Sequence, residues 1–143
     1  MTVKAILSRK GGDVVTIAPT ASLSAAVKLL AERRIGAIIV TGPEDRVAGI
    51  LSERDIVRTL ADRGPAALDD NVAAVMTRKV STCTEADTIA SLMEWMTAGK
   101  FRHLPVVEQG KLVGVISTGD VVKFRVEEIE GESNALREYI ATA

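Results

Sequence analysis

Two segments of this chain resemble each other at a spacing of about 66 residues, and that duplication limits the available architectures more than any other property of the sequence. In the first, VVTIAPTASLSAAVKLLAERRIGAIIV leads through TGPEDR to VAGILSERDIVRTLADRG. In the second, KVSTCTEADTIASLMEWMTAGKFRHLPVV leads through EQGK to LVGVISTGDVVKFRVEEIE. Thr16 answers Thr82, Ser22 answers Thr88, and Ser52 with Asp55 answers Ser117 with Asp120.

Each half contains the same order of local signals. An extended stretch bearing the threonine is followed by apolar residues at i, i+3, i+4 and i+7: Leu23, Ala26, Val27 and Leu30, then Ile89, Leu92, Met93 and Met96. Ser22 and Thr88 stand where a hydroxyl caps the first turn of such a helix. Two β-rich runs follow, Ala37 to Val40 and Val47 to Leu51, with counterparts Leu104 to Val107 and Leu112 to Ile116. Glycine-bearing turns between them predict hairpins. A second helix is predicted to start near Asp55 and Asp120. The fold class is therefore α+β: two β-α-β-β-α units, each too small to bury much surface alone, packed through their sheets with pseudo-two-fold symmetry around a shared core.

The domain reading assigns residues 1–64 to the first repeat with its N-terminal segment, 65–75 to a linker, 76–130 to the second repeat and 131–143 to a helical tail. The stretch from Val121 onward has apolar Val122, Val126 and Ile129, then Leu136, Tyr139 and Ile140. It is predicted to be an amphipathic helix broken or kinked near Gly131, packing on its own chain or on a second copy.

Charge and composition narrow the function classes. With 18 basic and 19 acidic residues, and no basic cluster, neither nucleic acid nor a membrane is an expected partner. Single residues Cys83 and His103 exclude an intrachain disulfide and the usual Cys/His zinc sets, and Cys83 reads as a small buried apolar residue. The opening apolar run is too short for a signal-peptide core, which predicts a cytoplasmic location.

The chemistry-bearing segments are Gly49 to Asp55 and Gly114 to Asp120, both Gly-x-x-Ser-x-x-Asp at a strand-to-helix junction. A helix N-terminus with free amides and a partial positive charge suits a phosphate. The hydroxyls of Ser52, Ser117 and Thr118 can donate to it, and the Asp55 and Asp120 carboxylates can accept from ribose hydroxyls. The same spacing also describes a capping box that only finishes a helix.

With the threonine strand, the Arg102-His103-Leu104-Pro105-Val106 run and a terminal Ser-x-x-Asp in each repeat, residues 14–130 resemble a tandem pair of CBS domains, a Bateman module, of the stand-alone bacterial type. The resemblance implies two clefts between the repeats that take AMP, ADP, ATP, NAD(H) or S-adenosylmethionine, and disc-shaped homodimers. By that resemblance the second cleft uses Asp120 on ribose and Ser117 with Thr118 near phosphate. Lys79, Val80 and Thr82 lie at the base, with Arg102, His103, Leu104 and Pro105 beside it. The first cleft uses Ser52, Arg54 and Asp55, with Val14, Val15, Thr16 and the Ile35, Gly36 and Ala37 backbone near the base. Aligning Gly36, Ala37 and Ile38 with His103, Leu104 and Pro105 makes the second cleft the better match to the family.

The implied role is regulatory: an adenine nucleotide shifts the angle between repeats, or between dimer halves, and an unidentified effector protein reads energy or redox state from it. No catalytic cofactor is expected. Neither serine sits in a G-x-S-x-G elbow, and phosphate-loop and G-x-G-x-x-G signatures are absent, so the chain is not expected to be an enzyme. A ligand-independent dimerisation module is the rival reading. Arg9 and Lys10, beside Gly11 and Gly12, read as a solvated basic turn or a phosphate contact.

Overall fold

The structure is a computed structural model that describes residues 1–142. Helix α1 (Val3–Lys10) precedes the first repeat, which runs β1 (Thr16–Ile17), α2 (Leu23–Arg33), β2 (Ala37–Thr41), β3 (Val47–Ser52) and α3 (Glu53–Arg63). A 3-10 turn over Pro65–Asp69 and the short α4 (Val72–Val75) lead to the second repeat, with α5 (Ile89–Gly99), β4 (His103–Glu108), β5 (Lys111–Ser117) and α6 (Thr118–Thr142). The α+β reading holds. Ser22 and Thr88 cap α2 and α5 as expected, accepting from the amides of Ala25 and Ser91.

The threonine strand is less regular in the second repeat. In the first, β1 runs parallel to β2, with the Ile39 amide donating to the Val15 carbonyl at 3.4 Å. Pro105 occupies the Ile39 register and has no N–H to give, so that rung is missing and only a single bridge, Cys83 to Val106, remains. Cys83 itself is 2% exposed, and burial followed by the nearby Asp87 carboxylate pushes its thiol up to about 12.

Each hairpin fixes its own register, and this corrects the alignment of the repeats by one residue. Ala37 pairs with Ser52 and His103 pairs with Ser117. The Glu53 amide donates to the Gly36 carbonyl as the Thr118 amide donates to that of Arg102. Gly36 is thus equivalent to Arg102 and Ala37 to His103. The strand-to-helix junction is bonded across the hairpin, so no slip is available.

The buried side chains form two clusters rather than the single shared core expected. Leu23, Ala26, Ile38, Val40, Leu51 and Ile56 make the first with Ala67, Val72 and Met76 from the 65–76 segment. Ile89, Leu92, Leu104, Val106, Ile116 and Phe124 make the second, together with Val3 and Ile6 from α1. The segment leading into each repeat therefore packs on the other one: 65–76 completes the first core and α1 the second. Val3 N donates to the Asp87 carbonyl and Ile89 N to that of Met1; in the first repeat Val72 N donates to Ala21 and Leu23 N to Asp70. The exchange ties together two units that are individually short of core.

α6 is a single helix through Thr142, without the break expected at Gly131. A glycine in a helix costs about 1 kcal/mol relative to alanine. Nothing lies within 4 Å of a Cβ built at Gly131, so no packing contact forces a bend there.

Candidate functional site

The exchange of leading segments builds the site. After α4 the chain crosses β3, where Ile50 and Thr77 exchange two backbone hydrogen bonds of 2.9 Å. Gly49 is the point of closest approach: a Cβ there would lie 2.8 Å from the Thr77 carbonyl oxygen and 2.7 Å from the Met76 sulfur. Gly114 has the same duty toward α1, with Leu7 Cδ2 2.7 Å from its would-be Cβ. The glycine of each Gly-x-x-Ser-x-x-Asp motif thus admits a crossing segment.

Between the repeats this crossing leaves a cavity of about 370 Å³. Ser52, Glu53, Arg54, Asp55 and Arg58 of the first repeat line one side, with Gly36 and Ala37; Thr77, Lys79, Val80 and Ser81 of the crossing segment and Lys100, Phe101, Arg102 and His103 line the other. Arg34 and Lys100 occupy the left-handed region just after α2 and α5 (φ 53° and 56°), and this turn carries the chain from each helix toward its hairpin.

The two predicted clefts are thereby regrouped. Lys79, Val80 and Arg102, expected beside Asp120, stand in one cavity with Gly36, Ala37, Ser52, Arg54 and Asp55, and His103 lines that cavity while remaining close to Asp120. The backbone path from Met76 to Ser81 lies along β3, and sequence position alone does not reveal that. Thr82, Val14, Val15 and Thr16 do not line this cavity, and Leu104 and Pro105 are buried. Ile35 lines a different groove, between α2 and α3, with Val27, Leu30, Ile56 and Val57. Ser117, Thr118 and Asp120 lie outside the cavity as well.

The hydroxyl and carboxylate groups are committed first to helix ends. Ser52 donates from both its amide (3.0 Å) and its hydroxyl (3.1 Å) to Asp55 Oδ2, and the Asp55 amide donates back to Ser52 Oγ at 3.2 Å. Ser117 and Asp120 repeat this box at 2.9, 3.0 and 3.1 Å. Thr118 Oγ1 donates to the Arg102 carbonyl at 3.2 Å, a structural tie rather than a free phosphate donor. The Glu53 and Asp55 amides are also taken, so α3 has few first-turn donors left for an anion. In the first box Asp55 Oδ1 has only the Thr77 hydroxyl, at 3.5 Å.

The two boxes differ in one decisive contact. Lys10 Nζ donates to Asp120 Oδ2 at 2.6 Å and to the Val115 carbonyl at 2.9 Å. Burial by itself raises the Asp120 carboxyl, but the Lys10 and Ser117 hydrogen bonds outweigh it and hold the group below its ordinary value. Arg9 pairs with Glu127 at 2.7 Å. The basic last turn of α1 is therefore tied to α6 by both residues, while the Arg9 side chain stays 54% exposed to solvent.

Electrostatically the cavity favours anions. Arg54, Arg58, Lys79, Lys100 and Arg102 face it against Glu53 and Asp55, and among the described residues none of the five cations is in an ion pair. Burial is the main cause that pulls the His103 imidazole below its ordinary value; the Asp120 carboxylate opposes this and Arg102 adds to it. Sequence reasoning missed Arg58, Lys100, Glu53, Thr77 and Ser81. Arg58 was detectable as the residue one turn beyond Arg54 and Glu53 as its neighbour at the start of α3; Thr77 and Ser81 come in through the crossing segment and Lys100 through the left-handed turn.

Comparison with known proteins agrees with this architecture. The family described as "CBS domain" matches residues 3–62 and 72–127. The chain is similar to the CBS-domain containing protein ATU1752 from Agrobacterium tumefaciens, with 47% identity, a TM-score of 0.83, and coverage of 87% of this chain and 99% of that one. The CBS domain protein PAE2072 from Pyrobaculum aerophilum, solved in complex with AMP, is 29% identical with a TM-score of 0.74, covering 84% of this chain and 89% of that one. A mitochondrial CBS domain-containing protein of Arabidopsis thaliana, CBSX3, is 34% identical over 119 residues, which are 80% of this chain and 58% of that protein. The chain thus spans little more than half of that relative's length.

Proposed function

The chain belongs to the CBS domain family, and from that premise we propose that it is a regulatory module that binds an adenine nucleotide in the cavity between its repeats. The observation that carries this reading is the set of five unpaired cations around a space of about 370 Å³ beside a carboxylate with one oxygen almost free. Guanidinium and ammonium groups would hold the phosphates, and Asp55 Oδ1 would accept from the ribose. The complex of the Pyrobaculum relative with AMP supports the same ligand class. The cationic lining favours AMP, ADP, ATP or NADH over S-adenosylmethionine, whose sulfonium would meet like charge.

In this reading the protein is a sensor and not an enzyme. The ligand contacts α3 of one repeat and the 77–81 and 100–103 segments of the other, so binding favours one angle between them. A separate effector protein, or a dimer partner, reads that angle. The proposed domain limits remain 1–64, 65–75, 76–130 and 131–143, and the proposed location is the cytoplasm; among the described residues no helix is long and apolar enough to cross a membrane.

The rival, a ligand-independent dimerisation module, draws support from the two complete capping boxes, which account for both aspartates without a ligand. A thermal-shift screen against AMP, ADP, ATP, NAD, NADH and S-adenosylmethionine separates them. A ligand at a hundredfold excess over its Kd stabilises by about 2.7 kcal/mol if it binds only the native state. The sensor reading expects such a shift with a phosphate-bearing ligand, and its loss in Arg58→Ala together with Arg102→Ala, neither of which touches a capping box. No shift with any of the six ligands would refute the sensor and favour the rival.

A further inference from the structure

The C-terminal turns of α6 leave the body of the molecule: every residue from 131 to 142 is exposed. A helix segment of that length is marginal in water without a surface to pack on. Along α6, Val122, Val126, Ile129, Leu136 and Ile140 are between 47 and 66% exposed. With Ser133 they fall at alternating intervals of four and three residues, the 3.5-residue period of a coiled-coil seam. The residues that α6 buries in its own repeat, Val121 and Phe124, lie about 120° around the helix from that seam.

We propose that α6 pairs with α6 of a second copy of this chain as a parallel, in-register, two-stranded coiled coil. Charge selects both the occupant and the direction. In a parallel pair, residues flanking the seam meet five positions apart. This sets Arg125 of one copy against Glu130 of the other and Glu132 against Arg137, each pair occurring twice. An antiparallel pair with matched apolar layers sets Glu130 on Glu130, Glu132 on Glu132, and Lys123 against Arg137, all like charges. Arg125 also holds Glu128 of its own helix, and its five N–H donors suffice for both carboxylates. Val126 and Ile140 are β-branched at one seam position, and Val122, Ile129 and Leu136 occupy the other. Ser133 is the polar residue at a central layer that penalises other registers.

The inference does not depend on the ligand. Its first test is Ser133→Cys in the full chain, oxidised at micromolar concentration. The native thiol is buried and its pKa is pushed up to about 12, so it does not compete. A parallel pair brings the two introduced thiols together and gives a covalent dimer on a non-reducing gel. An antiparallel pair sets position 133 opposite 129, so no cross-link forms, and that result overturns the proposal. By light scattering the wild type is a dimer and Leu136→Asp a monomer; a wild-type monomer, or a Leu136→Asp dimer, overturns it too. Glu132→Arg should weaken the dimer roughly tenfold, and adding Arg137→Glu should restore it. Failure of that rescue refutes the parallel register.

Discussion

Replacing Lys10 by Met is the sharpest probe of the asymmetry between the two repeats, because this one side chain distinguishes two otherwise equivalent capping boxes. Lys10 and Asp120 are 26% and 21% exposed and 2.6 Å apart. Two charges about 4 Å apart attract by about 1 kcal/mol in water and about 4 kcal/mol at the effective dielectric constant near a protein surface. Desolvation and the fixing of the lysine side chain offset most of this, leaving a net coupling of about 1–2 kcal/mol. In a chain of this size that lowers Tm by about 3–8 °C. A double-mutant cycle with Asp120→Asn, read by thermal melts, isolates the pair from other effects of either change. The pH dependence has a definite sign. The Asp120 carboxyl is held below its ordinary value in the folded state, so its contribution is complete above the unfolded pKa near 4 and lost as pH falls through the lower folded value. The coupling should be full at pH 7 and weaken as pH falls below the unfolded pKa. Additive mutants at pH 7, or a coupling that does not weaken in acid, would refute the clamp.

Gly49→Ala should cost about 1–3 kcal/mol, because the Thr77 carbonyl cannot yield to a Cβ 2.8 Å away, whereas Gly119→Ala, in α6 with its nearest neighbour Ser117 Oγ at 3.7 Å, should not destabilise; urea titration compares them. Ile6→Ala should cost about 2–5 kcal/mol and weaken hydrogen-exchange protection in β4 and β5 first, although Ile6 precedes the first repeat; earlier loss in β2 and β3 would contradict the exchange of leading helices. His103 is neutral at pH 7, and because its folded pKa is lowered, stability is complete above the unfolded value near 6.5 and declines as pH falls toward the folded one. NMR titration of its ring protons checks this, and a pKa at or above 6.5 would be the wrong answer.

Much of the fold was legible because its signals are local. The period of the apolar residues in α2 and α5, the cap hydroxyls of Ser22 and Thr88, and the glycine-bearing hairpin turns each act within a few residues, and the duplication stated them twice. The candidate site was half legible. Ser52, Arg54, Asp55, Lys79, Val80, Arg102 and His103 were all singled out, yet they were divided between two clefts where the structure brings them into one.

The α+β repeat, the strand-to-helix junctions and the Ser-x-x-Asp caps are written into short stretches of the chain, since each depends on backbone preference and hydrogen bonds between near neighbours. Long-range packing settles which repeat each leading helix completes, which motif glycine admits which crossing segment, and which aspartate gains a lysine partner. Those outcomes depend on contacts such as Val3 to Asp87, Ile50 to Thr77 and Lys10 to Asp120, whose partners lie tens of residues or more apart. A pseudo-symmetric chain can pair such segments within a repeat or across repeats with similar local energies. The choice is made by which arrangement fills both cores, and no short stretch of sequence carries that information.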